Sequence, residues 1–140
     1  MKANRIPIPG AGFKKYERLK SKKLLSLLFS EGIVVCNYPV KVLFIPLSED
    51  RSDFPAKVLL SVSKRLHPKA HVRNKYKRLM REAYRQEKTI LIDALLKQNK
   101  RIALGFIYRS KQAVNILDLR LHIQGALLKV IETLKEKNEE

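Results

Sequence analysis

Acidic side chains are scarce in this sequence. Thirteen Asp and Glu stand against 30 Lys and Arg in 140 residues, a formal net charge of +17 at pH 7. An excess of that size opposes compaction by self-repulsion and argues against a near-neutral metabolic enzyme. Cysteine is nearly absent. Cys36 alone excludes an intramolecular disulfide and a Cys-rich zinc site. The five glycines are scattered, so there is no Gly-rich phosphate loop. No apolar run approaches the roughly 18 residues of a membrane-crossing helix. The opening stretch MKANRIPIPGAGFKK has no apolar core of signal-peptide length. We therefore expect a soluble, cytoplasmic protein. What is present is a hydrophobic fraction of 45%, enough to build one packed domain at this length. A chain both globular and this basic points to a polyanionic partner, with nucleic acid favoured over an acidic membrane surface.

The charge is unevenly placed. Residues 1–23 carry net +7, residues 24–63 net −1, residues 64–88 net +8 and residues 89–140 net +3. Two segments thus hold most of the excess, separated by a nearly neutral apolar stretch. Such a localised footprint on a packed body is the pattern of a specific nucleic-acid binder.

Along the chain, residues 1–17 contain Pro7, Pro9, Gly10 and Gly12 and read as an irregular arm. Ser21 can cap a helix with the body KKLLSLLFSE, which Gly32 ends. Residues 33–46, IVVCNYPVKVLFIP, read as strand, interrupted by Pro39 at an edge or bulge and stopped by Pro46. Val40, Val42 and Phe44 alternate there with Lys41, Leu43 and Ile45. LSEDRSDFPA is a polar loop, and KVLLSVS, residues 57–63, is the next strand. The strongest helix covers about 70–87. Counted from Arg73 at about 100° per residue, Arg73, Asn74, Lys77, Arg78, Arg81 and Arg85 fall within one arc of about 140°. Val72, Tyr76, Leu79, Met80 and Ala83 occupy the opposite side. RIALGFIYR, residues 101–109, alternates as a third strand. Asn115 and Asp118 resemble a capping box for a last helix over 116–136, and the final residues, 137–140, form a solvated tail. The expected fold is α+β: a small α/β sandwich of order α-β-β-α-β-α, with helices on one face of the sheet. A single domain spans 18–136.

No catalytic constellation stands out. Glu49, Asp50 and Asp53 have the donor chemistry for a divalent cation, but a Pro-flanked loop containing Arg51 reads more simply as a solvated turn. His67 and His71 have a legal helical metal spacing; with Pro68 between them and no third ligand, hydrogen bonding or phosphate contact is the better reading. Cys36 reads as a small strand residue. No metal site is expected on the protein. The basic helical face carries almost one sign only, so few ion pairs within the helix neutralise it, and phosphates would complete it.

SVSKRLHPKAHVRNKYKRLMREAY, residues 61–84, resembles the signature of the bacterial ribonuclease P protein component. That family has a strand ending Ser-Val-Ser-Lys-Lys/Arg, a turn, and a helix opening Arg-Asn-Arg, followed by Lys-Arg and Arg-Glu/Gln-Ala-Phe/Tyr. RLKSKKLLSLLFSEG, residues 18–32, is similar to the family's first helix. The resemblance covers roughly residues 16–134. Four features depart from it: Lys75 stands where the motif has arginine, the turn LHPKAH is long, Leu25 replaces a usual aromatic, and the strand tyrosine falls near Leu43. The resemblance implies an unusual left-handed β-α-β crossover, of the kind in the second domain of a small-subunit ribosomal protein. It also implies that a catalytic RNA cleaves the 5′ leader from precursor tRNA with magnesium ions (Mg2+), bound mainly by the RNA. The protein would bind that RNA and the leader, with no obligate protein partner and no membrane. Carried onto this chain, the catalytic-RNA surface comprises Lys64, Arg65, Arg73, Asn74, Lys75, Lys77, Arg78, Arg81 and Arg85. The leader cleft comprises Leu25, Phe29, Val40, Val42 and Phe44, for which core packing is an equally good account of the residues alone. The competing readings are a basic ribosomal-type RNA-binding protein without a part in cleavage, and a self-sufficient nuclease using the acids at 49–53.

Overall fold

A computed structural model of the chain describes residues 17–47, 55–112 and 114–139, with backbone only from 137. The elements run α1 (Lys22–Glu31), β1 (Ile33–Asn37), β2 (Val40–Leu47), β3 (Ala56–Val62), α2 (Ala70–Glu87), α3 (Thr89–Lys97), β4 (Arg101–Tyr108) and α4 (Ile116–Glu139). The sheet order is β1-β2-β4-β3. β1 and β2 are antiparallel, as are β2 and β4, while β3 and β4 are parallel neighbours joined through α2 and α3. This is a mixed α+β sandwich, with two more elements than the sequence suggests.

The extra strand comes from the 33–46 run, which is a hairpin. Asn37 pairs with Val40 across the two-residue turn Tyr38–Pro39. Pro46 does not stop β2: it lies beyond Phe44, the last residue paired with β1, and faces Ile102 of β4. A proline lacks the donor for a strand flanked on both sides, but is tolerated where one side is open. The extra helix is α3, which follows α2 after the single residue Lys88. Lys88 is buried, and its Nζ donates to Glu17 Oε1 at 2.7 Å, with Glu17 fully buried. Glu17 therefore belongs to the packed body rather than to an arm. Arg18 bridges to Val58, and Leu19 N donates to Val58 O at 3.0 Å, so residues 17–19 run along β3. The rest of the expected arm 1–17, residues 1–16, lies outside the described residues, as does the acidic loop at 49–53. Helix α4 carries its backbone through Glu139, beyond the expected end at 136.

Both caps form as their residues suggest. Leu24 N donates to Ser21 Oγ at 3.3 Å; Asp118 N donates to Asn115 Oδ1 at 2.8 Å and Asn115 Nδ2 to Asp118 Oδ2 at 3.2 Å. The helices do not all share one face. α2, α3 and α4 cover a large core that includes Val40, Val42, Phe44, Leu104, Phe106, Met80, Tyr84, Leu91 and Leu127. α1 lies on the opposite face, where Leu28 packs with Leu19, Leu43 and Ala103. A Cβ on Gly105 would stand 3.2 Å from Leu28 Cδ2, so that glycine admits the close approach of α1 to β4.

Candidate nucleic-acid interface

The basic surface is built by β3, the turn after it and α2. The strand ends at Val62 and the chain turns back on itself: Leu66 N donates to Ser63 Oγ at 3.3 Å and His67 N to Ser63 O at 2.9 Å. His67 anchors this turn to the core. Its Nε2 donates to Ser110 O at 2.6 Å, which places a proton on that nitrogen because a carbonyl only accepts. Its ring meets Tyr76 at 4.8 Å, and Tyr76 stacks on Tyr108 at 5.1 Å and 18°. Tyr108 in turn donates its hydroxyl to Gln112 O at 2.6 Å; burial raises its phenol above the ordinary range. Buried and hydrogen-bonded, His67 is structural, while His71 is exposed on the first turn of α2. Among the described residues no group of three or more His, Cys, Asp or Glu converges on a metal position.

The nine basic-surface candidates divide into two groups. Lys64, Arg65, Asn74, Lys75, Arg78 and Arg81 are exposed and Lys77 is half-buried. Among the described residues none of the six cations in this group forms an ion pair. Arg73 and Arg85 have work inside the protein. Arg73 donates from one guanidinium nitrogen to His67 O at 2.9 Å and Pro68 O at 2.7 Å, holding the turn that carries Lys64 and Arg65. Arg85 pairs with Glu82 one turn away. Glu82 also accepts from Gln86 at 2.5 Å, and these two partners lower its carboxyl below the ordinary value. Arg120 of α4 pairs with Glu87 at 2.7 Å, fixing the far end of α2 to the body. The sequence reading omitted Lys69, exposed at the N-cap of α2, although it belongs to the same charge run.

The leader-cleft candidates do not share a surface. Val40, Val42 and Phe44 are at most 1% exposed and lie in the core under α2 and α4, away from α1. Side chains alternate across a strand, so the α1 side of β2 presents the other set, Lys41, Leu43 and Ile45. Leu25 is half-buried against the α1 cluster, and Phe29 is 56% exposed on α1. Of the five, only Leu25 and Phe29 stand on the α1 side.

These features define a mixed α/β domain that turns one strongly cationic helical face outward and keeps that helix's apolar face in its core. A model of the family described as Ribonuclease P matches residues 13–115. A ribonuclease P protein component from Porphyromonas gingivalis is 31% identical over 119 residues, covering 85% of this chain and 86% of that one. One from Chlorobaculum tepidum is 38% identical over 109 residues, covering 68% and 66%. The solved RNase P protein of Thermotoga maritima superposes with a TM-score of 0.59 at 25% identity, covering 84% of this chain and 96% of that one. The Staphylococcus aureus RNase P protein gives a TM-score of 0.64 at 22% identity, covering 81% and 94%, a likeness of fold. The chain belongs to the ribonuclease P protein family.

Proposed function

We propose that this protein is the RNA-binding subunit of a ribonuclease P holoenzyme in the cytoplasm, assisting magnesium-dependent removal of the 5′ leader from precursor tRNA. The observation that carries the reading is the exposed, one-signed set formed by Lys64 and Arg65 on the turn after β3 and Lys75, Arg78 and Arg81 on α2, a helix whose other side is core. Spaced cations on a rigid element bind a phosphate backbone and release its counterions. In this reading the magnesium is held mainly by the catalytic RNA, and no step is assigned to protein carboxylates.

The leader has a second surface. On the α1 side, β2 offers Lys41 and Ile45 and α1 offers Phe29 and Leu25. An apolar and aromatic strip flanked by cations suits unstacked bases of a single strand. The deciding assay incubates precursor tRNA with protein alone, with catalytic RNA alone, and with both, at near-physiological magnesium. Leader removal only with both supports this reading. Cleavage by protein alone would indicate a nuclease, and cleavage that never depends on the protein would leave an RNA-binding protein of ribosomal type.

A further inference from the structure

The β1–β2 hairpin ends in a feature that neither the basic helix nor α1 explains. Tyr38, at its tip, is 75% exposed, the most exposed of the large hydrophobic side chains among the described residues. Beneath it is a pocket of about 140 Å³ lined by Cys36, Tyr38, Pro39, Val40, Lys41 and Arg109. The lining has two cations and no carboxylate, and neither Lys41 nor Arg109 forms an ion pair among the described residues. The volume is below that of a pocket for a whole drug-sized ligand, and matches one planar group.

The tip is held in place from several sides. Arg109 N donates to Pro39 O at 2.8 Å. Asn37 Nδ2 donates to His122 O at 2.8 Å, and Lys129 Nζ to Cys36 O at 2.8 Å, both tying β1 to α4. An aromatic ring presented on a fixed support loses little freedom on binding. Cys36 and Lys41 are opposed across the hairpin and so share a face, which by alternation is the face of Leu43, the side covered by α1. The pocket therefore continues the strip assigned above to the leader.

We propose that this hairpin tip is a single-nucleotide subsite for the leader: Tyr38 stacks on one base while Lys41 and Arg109 hold the adjoining phosphates. An exposed aromatic with neighbouring cations is the composition that binds single strands without reading their sequence. The subsite rests on the leader reading, and the test separates the two.

Tyr38→Ala, Tyr38→Phe and Arg109→Ala would be assembled with the catalytic RNA. Each holoenzyme would be titrated with mature tRNA and with precursors whose leaders are shortened stepwise from the 5′ end. With a long leader, Tyr38→Ala should weaken binding roughly five- to hundredfold, the range for losing one stacked base. Tyr38→Phe should bind as wild type. Arg109→Ala should reduce the log–log salt slope by about one unit. As the leader shortens, wild type and Tyr38→Ala should converge at one length and coincide for mature tRNA. Wild type binding precursor and mature tRNA alike would sink the leader reading and the subsite together. A wild-type preference for precursor that Tyr38→Ala leaves intact at every length would overturn the subsite alone. Equal losses for mature tRNA, or for catalytic RNA without tRNA, would overturn it by placing the tip against the catalytic RNA.

Discussion

The two faces of the sheet come from the same four strands and meet different fates. On one, three helices enclose Val42, Phe44, Leu104 and Phe106 with no exposed surface. On the other, α1 alone covers Leu43 and Ala103 through Leu28, leaving Lys41, Leu59 and Ile107 half-buried. Alternating apolar residues on both sides of a strand would normally indicate a sheet sealed twice. Here the second seal is narrow, and the uncovered strip is where a single strand can lie. The contrast shows how one small domain divides stability from recognition: the sealed face supplies the core, and the thinly covered one can carry cations.

The sharpest way to break this contrast is Phe44→Ala. It opens a cavity in the sealed face and should cost roughly 3–5 kcal/mol, read as a lowered denaturant midpoint with an unchanged slope. Comparable in size is Lys88→Met, which leaves Glu17 buried without its Lys88 partner and should cost roughly 3–5 kcal/mol. Replacing both residues, as Glu17→Leu with Lys88→Met, should recover most of that loss in the same experiment. On the open side, Phe29→Ala should shift stability by no more than about 0.5 kcal/mol, as for an exposed position. It should instead lower the ratio of precursor to mature tRNA affinity in the holoenzyme. Arg78→Ala with Arg81→Ala should leave the melt unchanged and reduce the salt slope for catalytic-RNA binding by about two units. Arg73→Ala is a poorer probe, because it also frees the carbonyls of His67 and Pro68 and loosens the turn. The smallest effect belongs to Glu82→Gln, which releases Arg85 from its partner. The pair is half-buried and open to solvent screening, so it contributes little stability, and the expected change is a slightly steeper salt slope with no shift in melting. Glu82 has a lowered folded pKa, so whatever it contributes is present above the unfolded value and lost as pH falls through the folded one.

Helix α2 was legible in the sequence to the residue, because a basic arc and an apolar arc repeat over 18 residues. The β1–β2 turn was hidden because Tyr38–Pro39 has none of the Asn or Gly that announces a two-residue hairpin loop. Helix α3 was hidden because TILIDALLK is short and apolar, and its N-cap, Lys88, has no side-chain capping bond. The cleft illustrates a different limit. Alternation correctly separated Val40, Val42 and Phe44 from Lys41, Leu43 and Ile45, but the period of a strand does not say which set meets which helix. A physical cue was present in Lys41: the set containing a lysine belongs on the face that is left partly open.

The parallel pairing of β3 with β4 has a consequence for how the chain reaches this structure. Ala56 is registered opposite Ile102, whereas Asn37 meets Val40 across a two-residue turn. The hairpin can close while almost nothing else is ordered. The parallel pair closes a much longer loop, through α2 and α3, and closing a long loop loses entropy before any contact compensates it. Folding is therefore staged by sequence distance. The β1–β2 ribbon with its tyrosine tip can form early, and the cationic turn at 64–69, held between β3 and the crossover helices, takes its final shape only when the last strand is in place.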